Sequence, residues 1–228
     1  MKENIRSVAW AVVLLGLLGV STAAQATPLP AGGSVSVSNP GSFTAGTLLN
    51  NTGNLAFSVG GTSGTVREWV VSGASTALCA GCLSFIYQVQ VTQAPAPPGS
   101  SGVGRFAGSA YDAFTVDVTH ISDAVLALTG SVAGGFGANN ADRDASGNTV
   151  GFNYTSLGGI FTGASFLEMA NTNATAFQAG IITVTSTTGT SQNFTGFAPG
   201  TATGVPEPAT VLLLGSSLVA LGVWRRRS

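Results

Sequence analysis

Leu83-Ser84-Phe85-Ile86-Tyr87-Gln88-Val89-Gln90-Val91 decides the fold class. Leu83, Phe85, Tyr87, Val89 and Val91 fall on one side of an extended chain, and mainly Ser and Gln fall on the other. Successive side chains of a strand point to opposite faces, so this period of two predicts a strand with one face against a core. Working outward, residues 114–119, 150–154 and 182–186 alternate in the same way. Shorter strands are expected at 34–38, 55–59, 66–71, 125–128 and 166–170. Pairs such as Gly60-Gly61 and Gly134-Gly135 supply turn chemistry between them. A long apolar stripe of helical period is confined to the two ends of the chain. Many short strands with one apolar face predict an all-β body of antiparallel sheets, a β-sandwich or jelly-roll-like domain over residues 27–197. The Pro-rich stretch 93–104 is expected as an extended loop of that domain. Residues 198–204, with Pro199 and two glycines, are expected as a flexible stalk.

Composition agrees with a folded body. The 228-residue chain is 44% hydrophobic and only 7% charged. Disordered chains are typically highly charged and poor in β-branched and aromatic residues, whereas this one is rich in Val, Ile, Thr and Phe. Residues 27–204 hold the cations Arg67, Arg105 and Arg143 and no lysine. Their acids are Glu68, Asp112, Asp117, Asp123, Asp142, Asp144 and Glu168, giving a net charge of about −4. Without a basic cluster there is no electrostatic footprint for nucleic acid, and that class of partner is excluded.

Both ends read as address labels. Lys2 and Arg6 precede an apolar run at 8–20, followed by Ser21-Thr22-Ala23-Ala24-Gln25-Ala26. As a helix the run spans roughly 20 Å, short of the ~30 Å hydrocarbon core. A basic start, a short apolar run and an A-x-A end make a secretory signal peptide over 1–26. It is to be cut after Ala26 by signal peptidase, with Ala24 and Ala26 as the small residues of the site, once the general secretion machinery has engaged it.

At the other end, Val205-Pro206-Glu207-Pro208 leads into a run of apolar and small residues at 209–224, then Arg225-Arg226-Arg227-Ser228. The prolines keep 205–208 extended and accessible. The run is expected as a membrane helix a little short of the usual length, with Trp224 at the interface and the arginines on the cytoplasmic side. Pro206-Glu207-Pro208, the hydrophobic helix and the terminal Arg225, Arg226 and Arg227 together resemble the PEP-CTERM sorting signal over 205–228. That resemblance implies a Gram-negative bacterium, an exosortase as partner and a transient stay in the inner membrane. It also implies processing near the motif and delivery to the cell surface or the extracellular space, often with exopolysaccharide and biofilm matrix. The body is similar to the soluble domains of other PEP-CTERM proteins at 83–89, at Gly104-Arg105-Phe106 and at 172–177. This likeness supplies no active site.

Cys79-Ala80-Gly81-Cys82 is expected as a disulfide, because an exported chain meets an oxidising compartment. A redox role would want a helix N-terminus in an α/β unit, whereas a strand follows here, and one C-x-x-C offers only two zinc ligands. Asp142, Asp144, Ser146 and Asn148, with Gly147 for the turn, match the opening of a calcium loop, with Asn140 or Asp123 as further ligands. Position 12 of that pattern is Asn153 rather than Glu, so a solvated hairpin loop between 136 and 150 is the favoured reading. His120, the single histidine, is expected at a solvent-facing strand end. It has Asp117 and Asp123 nearby, but no G-x-S-x-G elbow accompanies it. Asp112, Glu68 and Glu168 are acid candidates for glycoside hydrolysis, which turns on a spatial separation. Trp69, Tyr87, Phe106, Tyr111, Tyr154 and Phe161 would stack on sugars if exposed; Trp69 and Tyr87 are expected in the core. No residue is assigned a catalytic role and no cofactor is assigned, calcium apart. The expectation is a non-enzymatic surface or matrix protein. The alternative is a carbohydrate-binding module, with or without calcium, and a surface hydrolase comes third.

Overall fold

The computed structural model describes residues 26–40, 43–93, 101–121, 128–155 and 158–201. The expected signal peptide, apart from Ala26, and the expected tail from 205 onward lie outside them. Among the described residues the protein is all-β, and no helix is long and apolar enough to cross a membrane. The described residues form fourteen strands in two sheets. The first contains β1 (Thr27–Pro28), β3 (Thr47–Asn51), β4 (Leu55–Val59), β5 (Thr62–Ser72), β6 (Leu83–Gln93), β8 (Val116–Ile121), β11 (Gly163–Ala164) and β12 (Leu167–Thr172). The second contains β2 (Ser34–Ser36), β7 (Val103–Gly108), β9 (Asn140–Arg143), β10 (Val150–Asn153), β13 (Ala176–Ser186) and β14 (Ser191–Gly200).

In the first sheet the order is β1-β8-β12-β6-β5-β3, with β4 also on β5 and β11 also on β6; in the second it is β14-β13-β7-β10-β9-β2. Every strand pair is antiparallel. The alternating stretch that opens the reading is β6, in the middle of the first sheet. Its Phe85, Tyr87, Val89 and Val91 enter an apolar cluster that also takes Phe106, Phe152, Ile182 and Val184 from the second sheet. Ile86, on the opposite face of β6, joins Trp69, Val71, Leu167 and Met169 in a second cluster. The middle of the first sheet is therefore buried on both faces, which is why Ser84 and Gln88 are buried as well. Gln88 is satisfied there by the carbonyls of Val132 and Ser165 and by the amide of Val132.

Three expectations are corrected. The Pro-rich stretch ends early, because β7 begins at Val103 and lies inside the second sheet. The stretch expected as one hairpin loop at 136–150 contains β9, and its turn covers only 144–149. The expected stalk begins too soon: β14 continues through Ala198, Pro199 and Gly200, paired with Ala176, Phe177 and Gln178 and buried. Proline and glycine read as a break, but β14 is an edge strand. There a proline's missing N–H removes no ladder bond.

Candidate functional site

The most unusual chemistry in the body lies inside it. Glu68 on β5 and Glu168 on β12 are both directly opposite Tyr87 on β6. Directly paired residues share a face, so the three side chains form one row across the sheet, inside the shared core. Both carboxyl groups are fully buried. Glu68 Oε2 accepts a 2.7 Å hydrogen bond from the Phe197 amide of β14, in the other sheet. Glu168 Oε1 accepts from the Ala138 amide at 2.7 Å and from the Tyr154 hydroxyl at 3.1 Å. Beside them the hydroxyls of Tyr87 and Tyr111 meet at 2.6 Å.

Burial disfavours the ionised form and outweighs the hydrogen bonds, raising each carboxyl from 4.5 to about 8. Burial also pushes Tyr87, Tyr111 and Tyr154 well above 10. At neutral pH these groups are neutral acids. They hold the sheets together from inside the core.

The acid candidates do not converge. Asp112 is exposed beyond β7, while Glu68 and Glu168 are sealed in the core. His120 is half-buried rather than fully solvent-facing. It pairs with Glu168 across the ladder, its ring lies 5.3 Å from that of Phe166, and burial lowers its pKa from 6.5. Phe166, whose amide donates to the Phe136 carbonyl, shields one side of the ring. Of the six aromatics considered for sugar stacking, Trp69, Tyr87, Phe106, Tyr111 and Tyr154 are buried.

The four oxygen-bearing residues of the expected calcium loop are engaged within the protein. Asp142 pairs with Arg105 at 2.5 Å and accepts from Asn153 at 3.2 Å. Asp144 accepts from the Thr149 amide at 3.1 Å and the Ser146 hydroxyl at 3.0 Å. Asn148 accepts from the Ala110 amide at 3.0 Å. Gly147 takes a positive φ of 77°, which closes the turn. Among the described residues no three His, Cys, Asp or Glu side chains gather as metal ligands.

Arg143, between the two aspartates, turns inward. It donates to the carbonyls of Gly147 at 2.9 Å, Tyr111 at 2.5 Å and Phe114 at 2.8 Å, and more distantly to Leu29 at 3.4 Å. It thereby ties the β9–β10 turn to the first strand and to the 111–114 loop. Above it lies an open depression of about 510 Å³, lined by Pro28, Pro30, Asp112, Phe114 and Val116 among others. Cys79 and Cys82 are joined in a disulfide with Cα atoms 5.1 Å apart, closing the turn before β6.

The end of β14 sets where the tail begins. Gly200 is buried in the body, and the Pro206-Glu207-Pro208 pattern starts six residues later. The family model of the PEP-CTERM protein-sorting motif matches residues 204–227. The chain carries a PEP-CTERM sorting motif. The match covers Pro206, Glu207, Pro208 and the arginines 225–227, so it concerns the tail and is silent on the body. The PEP-CTERM motif indicates an exported protein, sorted by an exosortase to the cell surface. No curated protein and no solved structure matches the chain.

Proposed function

We propose that this PEP-CTERM protein is a non-enzymatic structural component of the cell surface or extracellular matrix, associated with exopolysaccharide. On this reading the signal peptide is cut after Ala26, the apolar run at 209–224 holds the precursor in the inner membrane, and processing at the motif follows. The two sheets are read as a β-sandwich of jelly-roll type that serves as a rigid body. The observation that carries the non-enzymatic reading is the placement of the acids. Glu68 and Glu168, which an acid-catalysed hydrolysis would need in a cleft, are closed inside the core.

Intact-mass measurement of the protein from its host, fraction by fraction, tests this. A species starting at Thr27 and ending within 205–208, in the surface or medium fraction, is expected. A species ending at Ser228 in the inner membrane would refute processing. Hydrolysis of matrix polysaccharide by the purified protein would refute the non-enzymatic role.

The depression beside Arg143 favours a second reading, a carbohydrate-binding module. Phe114 and Pro30 line it as apolar walls, and Asp112 supplies an exposed acceptor for hydroxyls. Retention on isolated exopolysaccharide, with and without a chelator, separates this from a purely structural role and reports on calcium at Asp142 and Asp144.

A further inference from the structure

The two sheets differ in what lies on their outer faces. The outer face of the first carries the second apolar cluster, and loops cross it. Thr76 bonds Asn171 there, and Gln88 and Trp69 donate to the carbonyls of Val132 and Thr129. The second sheet turns Ala141, Phe152, Phe106 and Val184 inward, directly paired across β9, β10, β7 and β13. By alternation, the rows on either side of these four face outward. One row is Ser36, Asn140, Asn153, Arg105, Thr185 and Ser191, each directly paired with the next, and it crosses all six strands. The other is Ser34, Asp142, Gly151, Ala107, Thr183 and Asn193, paired in the same way. Every position of both rows is polar, glycine or alanine.

These side chains are organised among themselves. Arg105 and Asp142 form an ion pair at 2.5 Å, and Asn153 donates to Asp142 at 3.2 Å. Asn140 donates to Ser34 at 3.2 Å, and the Thr185 and Ser191 hydroxyls meet at 2.9 Å. Thr183 donates to the Asn193 carboxamide oxygen at 2.8 Å, which leaves the NH2 of that exposed residue as a donor. Gly151 and Ala107 are the buried positions of the two rows, and an added Cβ at Gly151 would run into the Arg105 guanidinium. The bare floor of β10 and β7 is thus flanked by Asp142 and Ser34 on one side and by Thr183 and Asn193 on the other.

The chemistry of the face selects a partner. Arg105 and Asp142 cancel, so there is no unpaired cation for nucleic acid or an anionic headgroup. There is no apolar centre of the kind a protein interface buries. Hydroxyl, carboxamide and guanidinium groups are plentiful, and most sit on short side chains that lose little rotamer freedom on binding. The geometry points to a binding face: the outer side of the second sheet holds a strand of neutral polysaccharide across β9, β10, β7 and β13. At a strand spacing of ~4.8 Å the six-strand row is about 24 Å long, enough for several sugar units. Ile181, exposed two residues beyond Thr183 on the same face, supplies an apolar contact for C–H groups at the margin. The inference rests on the reading of a protein associated with exopolysaccharide, and it puts the contact away from the depression beside Arg143.

The test separates the two. The full chain, solubilised in detergent, is passed over the immobilised neutral exopolysaccharide of the host's medium, the fraction that an anion exchanger does not retain. The wild type is expected to bind, with an affinity unchanged at ~1 M salt, where the Debye length is ~3 Å. Thr183→Val, Thr185→Val and Asn193→Leu together keep shape and strand propensity while removing polar groups. This triple variant is expected to bind tenfold or more weakly at an unchanged urea midpoint. Asp112→Ala, in the depression, is expected to bind as the wild type does. If the triple variant is less stable, Asn193→Leu alone, at an exposed position, carries the comparison. Equal binding by the altered face and the wild type overturns the binding face and leaves the polysaccharide reading standing, as does a loss confined to Asp112→Ala. Binding that disappears with salt overturns the neutral class of ligand. A wild-type dimer that the triple variant abolishes in sedimentation makes the face a contact between copies and overturns the inference too. A wild type that is not retained overturns both the face and the reading beneath it.

Discussion

Glu68 shows how a single buried carboxyl shapes the second sheet. β14 is an edge strand, and an edge offers unpaired amides to other chains. The Phe197 amide is taken by Glu68, and the next residue of the same parity is Pro199, which has none. Space for the carboxyl comes from Gly196, where an added Cβ would stand 2.5 Å from Glu68 Oε2 and from Ile182. Gly196→Ala is expected to destabilise the protein by about 1–3 kcal/mol, read as a lowered urea midpoint.

The two raised carboxyls also set a pH dependence. Below pH 4.5 folded and unfolded states are both protonated at Glu68 and Glu168, and the shift has no effect. Between 4.5 and about 8 the unfolded chain ionises while the folded one keeps its protons, so stability falls as pH rises. Each group contributes a slope of up to about 1.4 kcal/mol per pH unit in that window. Urea titrations from pH 5 to 8 are expected to show declining stability, with a flatter profile for Glu68→Gln and Glu168→Gln. A flat wild-type profile would mean that the carboxyls are ionised in the fold. A third residue works in the other direction: Ala110 holds a φ of 65°, which costs a side chain about 1 kcal/mol, so Ala110→Gly is expected to stabilise or be neutral.

At the scale of elements, two devices fix loops onto the sheets. Arg143 leaves β9 to bind carbonyls of its own turn and of two segments distant in sequence, the 111–114 loop and Leu29. Arg143→Met removes those bonds while keeping much of the volume, and the freed carbonyls are expected to cost about 3 kcal/mol or more in calorimetric or urea unfolding. The Cys79–Cys82 disulfide closes a very short loop, so by chain entropy it contributes roughly 2 kcal/mol or less. Reduction is expected to lower the melting temperature by a few degrees without unfolding the body. Strand legibility divides on the same lines. Leu55–Val59 and the core of β6 were readable because one face is apolar and the other polar. β3 was not, since Thr-Leu-Leu-Asn-Asn has no alternation, and an exposed edge strand needs none. β14 was hidden by Gly and Pro, which are harmless at an edge.

At the scale of the whole molecule, the sorting tail follows a folded body with little slack. With Pro206→Ala and Pro208→Ala together, the chain is expected to accumulate uncut with Ser228 in place, as read by intact mass, while the body keeps the same melting transition.

What the sequence by itself determined is the local information. Period-two patterns gave the all-β class, and the contiguous Pro206-Glu207-Pro208, apolar run and arginines gave the sorting motif, because such signals are read as linear segments. Tertiary structure alone decided the fate of the isolated polar residues. Glu68 shares parity with Val66 and Val70, and Glu168 with Ala170, so their inward direction was implicit in the alternation. Whether that direction led to a cleft or a sealed core depended on a second sheet arriving from residues distant in the chain. His120 was half-buried against Phe166 in the same way, and Asp142 found partners on neighbouring strands while Asp144 bonded within its own turn. Burial is a property of what packs against a residue, and the chain's local pattern does not encode which segment that will be.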